Sequence, residues 1–280
     1  MEKLLLVDGS NLLFQMFFGM PARIVNGQGK AIQGTLGFIG ALLKIIRMVK
    51  PTHVAVLFDG ECCNPRREID SAYKADREDY SQVEEDENPF SQLPDILTAL
   101  DYMGIRYAET INCETDDWMA GYALEYGKER EIVIASHDSD FFQLISDRVR
   151  ILRYRGEKTT LCDMDFLRQK LGILPSQYAG HKSLTGDSAD NIKGVPKIGP
   201  KTATWLMNRF GTLENLLEHG MDIENASVRD AIVTHQDRVR KNYQLIQLEN
   251  TVPLPFLLPQ LVYQDSNMTT AQVLHGIGLR

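Results

Sequence analysis

The sequence has no long apolar run, and this absence argues against a protein that spans the membrane with helices. No stretch of its 280 residues approaches the roughly 20 apolar residues that cross a bilayer. The apolar stretch at residues 4–7 is too short for the core of a secretory signal. Hydrophobic content of 43% and charged content of 24% are ordinary for a globular chain. We therefore expect a cytoplasmic protein with no membrane partner.

Cysteine and histidine are also scarce. The four cysteines are Cys62, Cys63, Cys113 and Cys162. They show no CxxC spacing and no paired histidines at zinc-finger distance, so a zinc site is not expected. We expect the adjacent Cys62 and Cys63 to be free thiols in a reducing compartment. We expect Cys113 to be a buried, inert thiol.

Basic charge is not in excess. The formal net charge is −8, which by itself argues against a nucleic-acid partner. Nine carboxylates, however, follow apolar runs or stand where a helix is expected to begin. They are Asp8, Asp59, Glu114, Asp116, Asp117, Asp138, Asp140, Asp187 and Asp190. These nine account for −9, so the rest of the chain carries about +1 and its acidity does not exclude DNA.

A fold that gathers these nine carboxylates needs positive charge to neutralise them. Oxygen ligands from Asp and Glu suit hard divalent cations, and two such cations about 4 Å apart can drive phosphodiester hydrolysis. The pattern therefore predicts a metal-dependent nuclease.

The order of apolar patterns predicts an α/β fold with a mostly parallel central sheet flanked by helices. Strands are predicted at 3–8, 53–58 and 131–136, with helices near 33–49, 90–103 and 114–127. From residue 163 the patterns are helical, near 163–171, 175–184, 198–210, 212–219 and 226–249. We expect a nuclease core at 1–162, a helical DNA-binding region at 163–250 and a tail at 251–280 that packs on the body.

This topology predicts where the acids meet. Ligands of open parallel sheets bind outside the carboxyl ends of the strands. Asp8, Asp59 and Asp138 each follow a predicted strand. Glu114 and its neighbours begin a helix, where the helix dipole favours negative charge. We expect these groups at one edge of the sheet.

The segment 186–203 is expected to bind phosphate. Gly194 and Gly199 bracket a turn before a helix with Pro200 in its first turn, where backbone N–H groups are free for a phosphate oxygen. Five basic residues accompany two acids between 181 and 209: Lys182, Lys193, Lys197, Lys201 and Arg209. A P-loop is rejected, because proline precedes Lys201 and no apolar strand precedes Gly194. Non-specific binding of the DNA backbone fits better, and a helix–turn–helix that serves only packing is the alternative.

A second basic group follows Asp59. It comprises Arg66, Arg67, Lys74 and Arg77, with Tyr73 interleaved. Near an acidic metal centre these side chains can contact the scissile phosphate and stabilise the charge that builds there.

The motifs together resemble the 5′ nuclease family: the 5′→3′ exonuclease domain of bacterial DNA polymerase I, phage 5′ nucleases and flap endonucleases. The matching stretches span most of the chain in order. They are LLLVDGSNLLF (4–14), AVLFDG (55–60), YKADR (73–77), CETDDWMA (113–120), SHDSDFFQL (136–144) and LTGDSADNIKGVPKIGPKTA (184–203).

The resemblance assigns roles to the acids. It implies a PIN-like nuclease fold and two Mg²⁺ or Mn²⁺ ions. Asp8, Asp59, Glu114 and Asp116 would hold the first ion. Asp138, Asp140 and Asp187 would hold the second, with Asp116 shared and Asp190 direct or through water, while Asp117 would support from behind.

The resemblance also assigns DNA contacts. Lys74 and Arg77 match the catalytic basic residues of a helical arch, expected at about 61–92. Phe14 matches an aromatic that stacks on a base near the cleavage point, with core packing as the alternative. The helix–three-turn–helix element at about 186–210 would contact the duplex, and the family often holds a K⁺ there. The DNA-binding residues expected are Phe14, Arg67, Tyr73, Lys193, Gly194, Val195, Lys197, Ile198, Gly199, Lys201 and Thr202.

The sequence departs from the family pattern at two places. Ser139 stands between the paired aspartates where many relatives have Lys or Arg. The stretch EDYSQVEEDE (78–87) places six acids and no bases in the expected arch. We expect Ser139 to tune the activity without abolishing it. The acidic stretch leaves open the path of a threaded DNA strand and the substrate preference.

The resemblance implies a structure-specific 5′ nuclease, a 5′→3′ exonuclease, flap endonuclease or both, acting in DNA replication or repair. Expected partners are DNA with 5′ ends, flaps or single-strand/duplex junctions, with RNA primers as a further option, and the expected state is a monomer. No polymerase sequence follows Arg280, which suits a free-standing protein or an excised domain. The alternatives are a non-catalytic DNA-junction binding module and a related metal-dependent ribonuclease.

Overall fold

A computed structural model of the protein describes residues 2–60 and 65–279. The expectation for Cys62 and Cys63 lies outside these residues. Cys113 and Cys162 are free thiols. Within the described ranges, no helix combines the length and the apolar character needed to span a membrane.

The core is a six-stranded sheet in the order β3-β2-β1-β4-β5-β6. The strands are β1 (Lys3–Asp8), β2 (His53–Phe58), β3 (Arg106–Glu109), β4 (Glu131–Ala135), β5 (Val149–Arg153) and β6 (Thr160–Cys162). All neighbouring pairs are parallel except β5 and β6. Residues 4–7 of β1 are fully buried, because a central parallel strand is covered on both faces. The predicted mostly parallel sheet is confirmed.

Helices cover both faces of the sheet. They are α1 (Gly9–Gly19), α2 (Gln33–Val49), α3 (Arg66–Ile69), α4 (Leu93–Tyr102), α5 (Thr115–Tyr126), α6 (Met164–Leu171), α7 (Tyr178–Thr185), α8 (Pro200–Phe210), α9 (Leu213–Glu218), α10 (Ala226–Thr234), α11 (Gln236–Ile246) and α12 (Thr270–Gly276). Leu5 and Val7 pack with α1, α2 and α4. Leu4 and Leu6 belong to an apolar cluster that continues through α5 into the helical region, so the two regions share one core.

A short hairpin joins the helical region to the sheet edge. Its strands β7 (Gly186–Asp187) and β8 (Ile192–Lys193) pair antiparallel between α7 and α8. Gly186 has a φ of +79°, and a Cβ on Gly194 would lie 2.3 Å from the Thr185 carbonyl oxygen. Only glycine fits both positions, because the backbones of the two strands and the end of α7 approach so closely.

Two predicted elements differ from the structure. The expected helical arch is wrong for residues 65–92, which contain the four-residue α3 and 3₁₀ turns at Tyr80–Gln82 and Pro89–Gln92. Within this range, residues 78–87 carry six acids and no base, so they offer no apolar helix face to bury. The helix predicted at 226–249 is two helices, which meet at His235.

The tail packs on the body through backbone carbonyls. The Trp118 indole donates a hydrogen bond to the Pro253 carbonyl at 3.0 Å, and the Tyr122 hydroxyl donates to the Phe256 carbonyl at 2.9 Å. Both donors lie on α5, so this helix is held between the sheet and the tail.

Asn242 provides a test of how the hairpin is held. Its buried amide donates to the carbonyls of Ser183 and Lys193, each at 2.9 Å, and so ties α11 to α7 and β8. Asn242→Leu leaves both carbonyls without this donor, and we expect a loss of about 3 kcal/mol in the free energy of unfolding. Chemical denaturation measures it.

The matched control is Asn208→Leu, since the exposed Asn208 amide also donates to a backbone carbonyl, that of Gly172, at 2.8 Å. We expect this control to lose less than about 1 kcal/mol. Equal losses in the two variants would contradict the role given to Asn242.

Candidate active site

The ends of β1 and β4 are tied together through Asp8. One Asp8 carboxylate oxygen accepts from the Asn11 backbone N–H at 2.9 Å and so caps α1. The other accepts from the Ser136 hydroxyl at 2.7 Å. The Ser136 oxygen in turn accepts from the Asp138 N–H at 3.0 Å. Asp8 and Asp138 are thereby fixed at the same edge of the sheet.

Asp59 links the end of β2 to two helices. Its backbone N–H donates to the Ser10 hydroxyl at 2.9 Å, and its carboxylate accepts from the Thr115 N–H at 3.0 Å. Thr115 is the first residue of α5, so this contact brings Glu114 and Asp116 to the edge. One cavity of about 430 Å³ is lined by four of the predicted carboxylates: Asp8, Asp59, Asp116 and Asp138.

Three of the predicted carboxylates, Asp8, Asp116 and Asp140, have raised pKa values. Burial, helped by the negative charge of the neighbouring Asp59, raises the pKa of Asp8 to about 7. Burial and Asp138 raise the pKa of Asp116 well above its usual range. Burial also raises the pKa of Asp140 to about 7 against the opposing effect of Lys182. A bound divalent cation reverses such shifts because it favours the ionised carboxylates.

A second acidic group lies where the hairpin meets the end of β4. Asp140, Asp187 and Asp190 each offer a carboxylate oxygen within 4.8 Å of the others. Such a set of oxygen donors fits a hard divalent cation. The Lys182 ammonium lies between Asp140 and Asp187 and forms an ion pair with each. No sequence pattern singles out this contact, since Lys182 is only one of five basic residues in its segment.

Arg66 neutralises a third acidic group, which consists of Glu114 and Asp117. This buried guanidinium pairs with Asp117 through both of its terminal nitrogens, at 2.7 and 3.0 Å, and with Glu114 at 2.7 Å. Both Asp117 oxygens are therefore occupied by Arg66, which accords with the supporting position implied by the resemblance. Sequence reasoning placed Arg66 only in a general basic group, because its burial depends on α5 and α11 folding over it.

Lys74 and Arg77 reach the same acids from the connection after β2. The buried Lys74 ammonium lies 2.5 Å from Glu114, and Arg77 lies 3.1 Å from Asp190. The Lys74 backbone N–H donates to the Asp190 carbonyl at 3.1 Å, and Lys74 has a positive φ of 53°. Both basic side chains thus stand beside the acids, and Lys74 and Arg77 line the cavity.

Some of the expected DNA contacts need correction. Tyr73 is only 3% exposed, and its hydroxyl donates to Glu114 at 3.2 Å, so it supports the site and does not face DNA. The side chains of Val195 and Ile198 are buried, which leaves their backbone alone to meet a ligand.

The remaining candidates for DNA contact are accessible. Lys193, Lys197, Lys201, Gly199 and Arg67 are exposed, while Gly194 and Thr202 are half-buried. Phe14 lines the acidic cavity, so it is more than a core residue. Gly199 stands at the N-cap of α8, with no side chain bonded to the first N–H groups of that helix.

The comparisons with known proteins converge on one family. A family model described as 5′-3′ exonuclease, N-terminal resolvase-like domain, matches residues 3–172, and one described as 5′-3′ exonuclease, C-terminal SAM fold, matches residues 173–269. DNA polymerase I of Rhizobium leguminosarum is 33% identical over 95% of the chain, and the thermostable DNA polymerase I of Thermus thermophilus is 34% identical over 92%. The chain spans 26% and 30% of their lengths.

A solved structure shows the same fold. The flap endonuclease of bacteriophage T5, in a pseudo-enzyme-product complex with DNA and metal ions, superposes with a TM-score of 0.72 at 20% identity. The match covers 88% of this chain and 89% of that one. The likeness extends over the sheet and the helical region together.

The ion pairs of Lys182 lead to a prediction about metal affinity. Lys182→Met removes the ammonium from between Asp140 and Asp187. Without metal, we expect the free energy of unfolding to fall by about 3 kcal/mol, because two buried carboxylates lose their partner. Divalent cations should bind roughly tenfold more tightly, since they no longer compete with the ammonium.

Thermal unfolding in EDTA and calorimetric titration with Mn²⁺ measure the two effects. Lys193→Met, which removes an exposed lysine from β8, is the control and should change neither. Unchanged or weaker Mn²⁺ binding by Lys182→Met would show that Lys182 does not compete for the metal position.

Proposed function

Since the chain belongs to the 5′-3′ exonuclease family, we propose that it is a structure-specific 5′ nuclease that hydrolyses DNA phosphodiesters near 5′ ends. One observation carries the proposal. The cavity at the sheet edge combines four carboxylates with Lys74 and Arg77. Oxygen ligands for cations and basic groups for a phosphate are the two sets of side chains that this reaction requires.

The acids divide into two sets of metal ligands in this proposal. Asp8, Asp59, Glu114 and Asp116 would hold one Mg²⁺ or Mn²⁺. Asp138, Asp140 and Asp187 would hold the other, with Asp116 shared and Asp190 adjoining. Bound there, such ions supply a water of lowered pKa and a counter-charge for the leaving 3′ oxygen. The spacing of Asp140, Asp187 and Asp190 supports the second set.

The chain's own cations orient and neutralise the substrate. Lys74 and Arg77 are held at the cavity by Glu114 and Asp190, where they meet the scissile phosphate and offset charge on its oxygens. Arg66 holds Glu114 in place through its buried ion pairs.

The DNA duplex is proposed to bind along the hairpin and α8. Lys193, Lys197 and Lys201 are exposed there and suit phosphates on the DNA backbone. The N-terminus of α8 adds unpaired N–H groups. These contacts read structure and not sequence, so we propose flaps, 5′ ends and single-strand/duplex junctions as substrates. The proposal also includes a K⁺ ion at this element, RNA primers as further substrates and a monomeric state.

The non-catalytic DNA-junction module is the second candidate. It would need no ordered set of metal ligands, yet the carboxylates at the ends of β1, β2 and β4 are buried or tied by hydrogen bonds. A related ribonuclease would not need the hairpin and α8 as a duplex-binding element.

Cleavage of a labelled 5′-flap DNA in Mg²⁺ tests the proposal. We expect products with a 5′-phosphate and a 3′-hydroxyl. Asp138→Asn should slow the single-turnover rate roughly a thousandfold, because it removes part of the charge that holds the ions.

Asp163→Asn is the matched control. Asp163 caps α6 away from the site by accepting from the Phe166 N–H at 2.9 Å, and asparagine caps a helix as well, so the rate should not change. Binding of the flap without cleavage in Mg²⁺ or Mn²⁺ would contradict the proposal and favour the binding module. Faster cleavage of RNA than of DNA would favour the ribonuclease.

A further inference from the structure

The end of β5 and the turn after it carry a basic segment that the proposed chemistry does not use. Residues 148–158 contain five basic residues and a single acid, Glu157, in a chain whose formal net charge is −8. The basic residues are Arg148, Arg150, Arg153, Arg155 and Lys158. Arg155 and Lys158 are exposed, while Arg153 is half-buried. Such a concentration of positive charge in an acidic chain indicates an anionic partner.

Arg153 of β5 and Lys170 of α6 meet at the ring of Phe142. The guanidinium carbon of Arg153 lies 5.7 Å from the centroid of this ring, and the Lys170 ammonium lies 6.0 Å from it. Lys170 also lies 5.3 Å from the ring centroid of Phe166. These distances allow cation–π attraction, which holds the two charges in one place. Cys162 lies beside both of them, because burial raises the pKa of its thiol while the charges of Arg153 and Lys170 oppose that rise.

No acid of the described residues forms an ion pair with either cation. In this part of the chain the Arg153 guanidinium donates one hydrogen bond, to the His137 carbonyl at 2.7 Å, and its buried Nε has no partner. Asp163, which also lies beside Cys162, already accepts from the Phe166 N–H at 2.9 Å and so caps α6. Two like charges that no acid balances repel each other, so this pair is suited to bind an anion.

The pair stands at the same edge of the sheet as the carboxylates. β5 pairs parallel with β4, so its last residue, Arg153, lies beside the end of β4, which Asp138 follows. The edge runs from Asp59 through Asp8 to Asp138, and the next strand along it, about 4.8 Å away, is β5. The hydrogen bond to His137 holds the guanidinium against the segment that carries Asp138. A DNA strand that lies over the carboxylates and continues along this edge therefore reaches the cation pair.

We propose that Arg153 and Lys170 bind a backbone phosphate of the cleaved DNA strand, a few nucleotides from the scissile phosphate. This inference rests on the proposed function and adds a contact that lies outside both the acidic cavity and the hairpin with α8. A guanidinium binds phosphate oxygens through its N–H groups, and a lysine ammonium acts on them as a point charge. A contact of this kind positions the strand without reading its bases. It thereby helps to determine which phosphodiester reaches the carboxylates.

Flap DNAs that each carry one uncharged methylphosphonate linkage test the proposal. The linkage is moved one position at a time along the cleaved strand, and kcat/KM for cleavage in Mg²⁺ is compared with that of the unmodified flap. For the unaltered protein, we expect a penalty of about tenfold at the contacted phosphate, because a charge-assisted contact is lost. In Lys170→Met this penalty should fall to about threefold, and in the double variant with Arg153→Met to less than about twofold, since the partners of that phosphate are gone.

Arg168→Met is the matched control. It removes another exposed base of α6, which lies 3.8 Å from Asp165, so the full penalty at the contacted phosphate should persist. Each penalty is a ratio between two DNAs in one protein preparation, so partial loss of folded protein cancels. Because Lys170 is exposed, Lys170→Met decides the question by itself even where Arg153→Met disturbs the segment around Asp138.

The outcomes distinguish this inference from the proposed function. If the unaltered protein cleaves none of the flap DNAs, the unmodified one included, the proposed function fails. If it cleaves them but Lys170→Met reduces the penalty at no position, or if Arg168→Met reduces it equally, the inference alone is overturned.

Discussion

Carboxylates crowd one edge of the sheet, and their mutual repulsion determines how the surrounding side chains are arranged. Parallel strands place Asp8, Asp59 and Asp138 together because their carboxyl ends share that edge. Burial raises the pKa of Asp8, Asp116 and Asp140, because a low local dielectric disfavours the ionised carboxylate. The protein therefore needs cations at this edge, and its sequence supplies three groups of them: Arg66 and Lys74 on Glu114, Lys182 on Asp140 and Asp187, and Arg77 on Asp190. The negative net charge of the chain is thus largely a property of the site.

The same charges hold the two regions of the chain together. Asp187 and Asp190 belong to the hairpin, and Asp140 follows β4. Lys182 of α7 forms ion pairs with Asp140 and Asp187. The connection after β2 joins this arrangement, because the Asn191 side chain donates to the Ala72 carbonyl at 3.0 Å. A duplex held by the hairpin and α8 would be positioned relative to the metal ligands through these contacts. Binding and chemistry are in this way coupled by a few residues.

Much of the fold was predictable from the sequence, because its strongest signals are local. The apolar runs of β1, β2 and β4 and the turn residues after each of them predict both the sheet and the edge at which the acids meet. The short, half-polar β3 and the edge strand β6 give no such pattern, and they form because a neighbouring strand offers hydrogen bonds. The break at His235 depends on packing that a single-sequence pattern does not contain. The missing arch helices accord with the acidic composition of residues 78–87, which the sequence does show.

The same distinction applies to the site. Carboxylates next to turn signals were visible in the sequence, whereas Arg66, Lys182 and Tyr73 acquire their roles only when distant elements bury them against Glu114 or Asp140. A basic residue in the sequence looks the same whether it faces solvent or a carboxylate. The ring contacts of Phe14 with Tyr80 and Phe90 are a similar case, since these residues lie far from Phe14 in the chain.

The location of bound Mn²⁺ tests the central claim most directly. Crystals of the protein soaked in Mn²⁺ would show the ions as peaks of anomalous scattering. We expect two peaks at the sheet edge, one beside Asp8, Asp59, Glu114 and Asp116 and the other beside Asp138, Asp140 and Asp187. The Lys182 ammonium should then be displaced from between Asp140 and Asp187. The absence of any anomalous peak at these carboxylates, while Lys182 and Lys74 keep their ion pairs, would show that the cluster does not hold divalent cations.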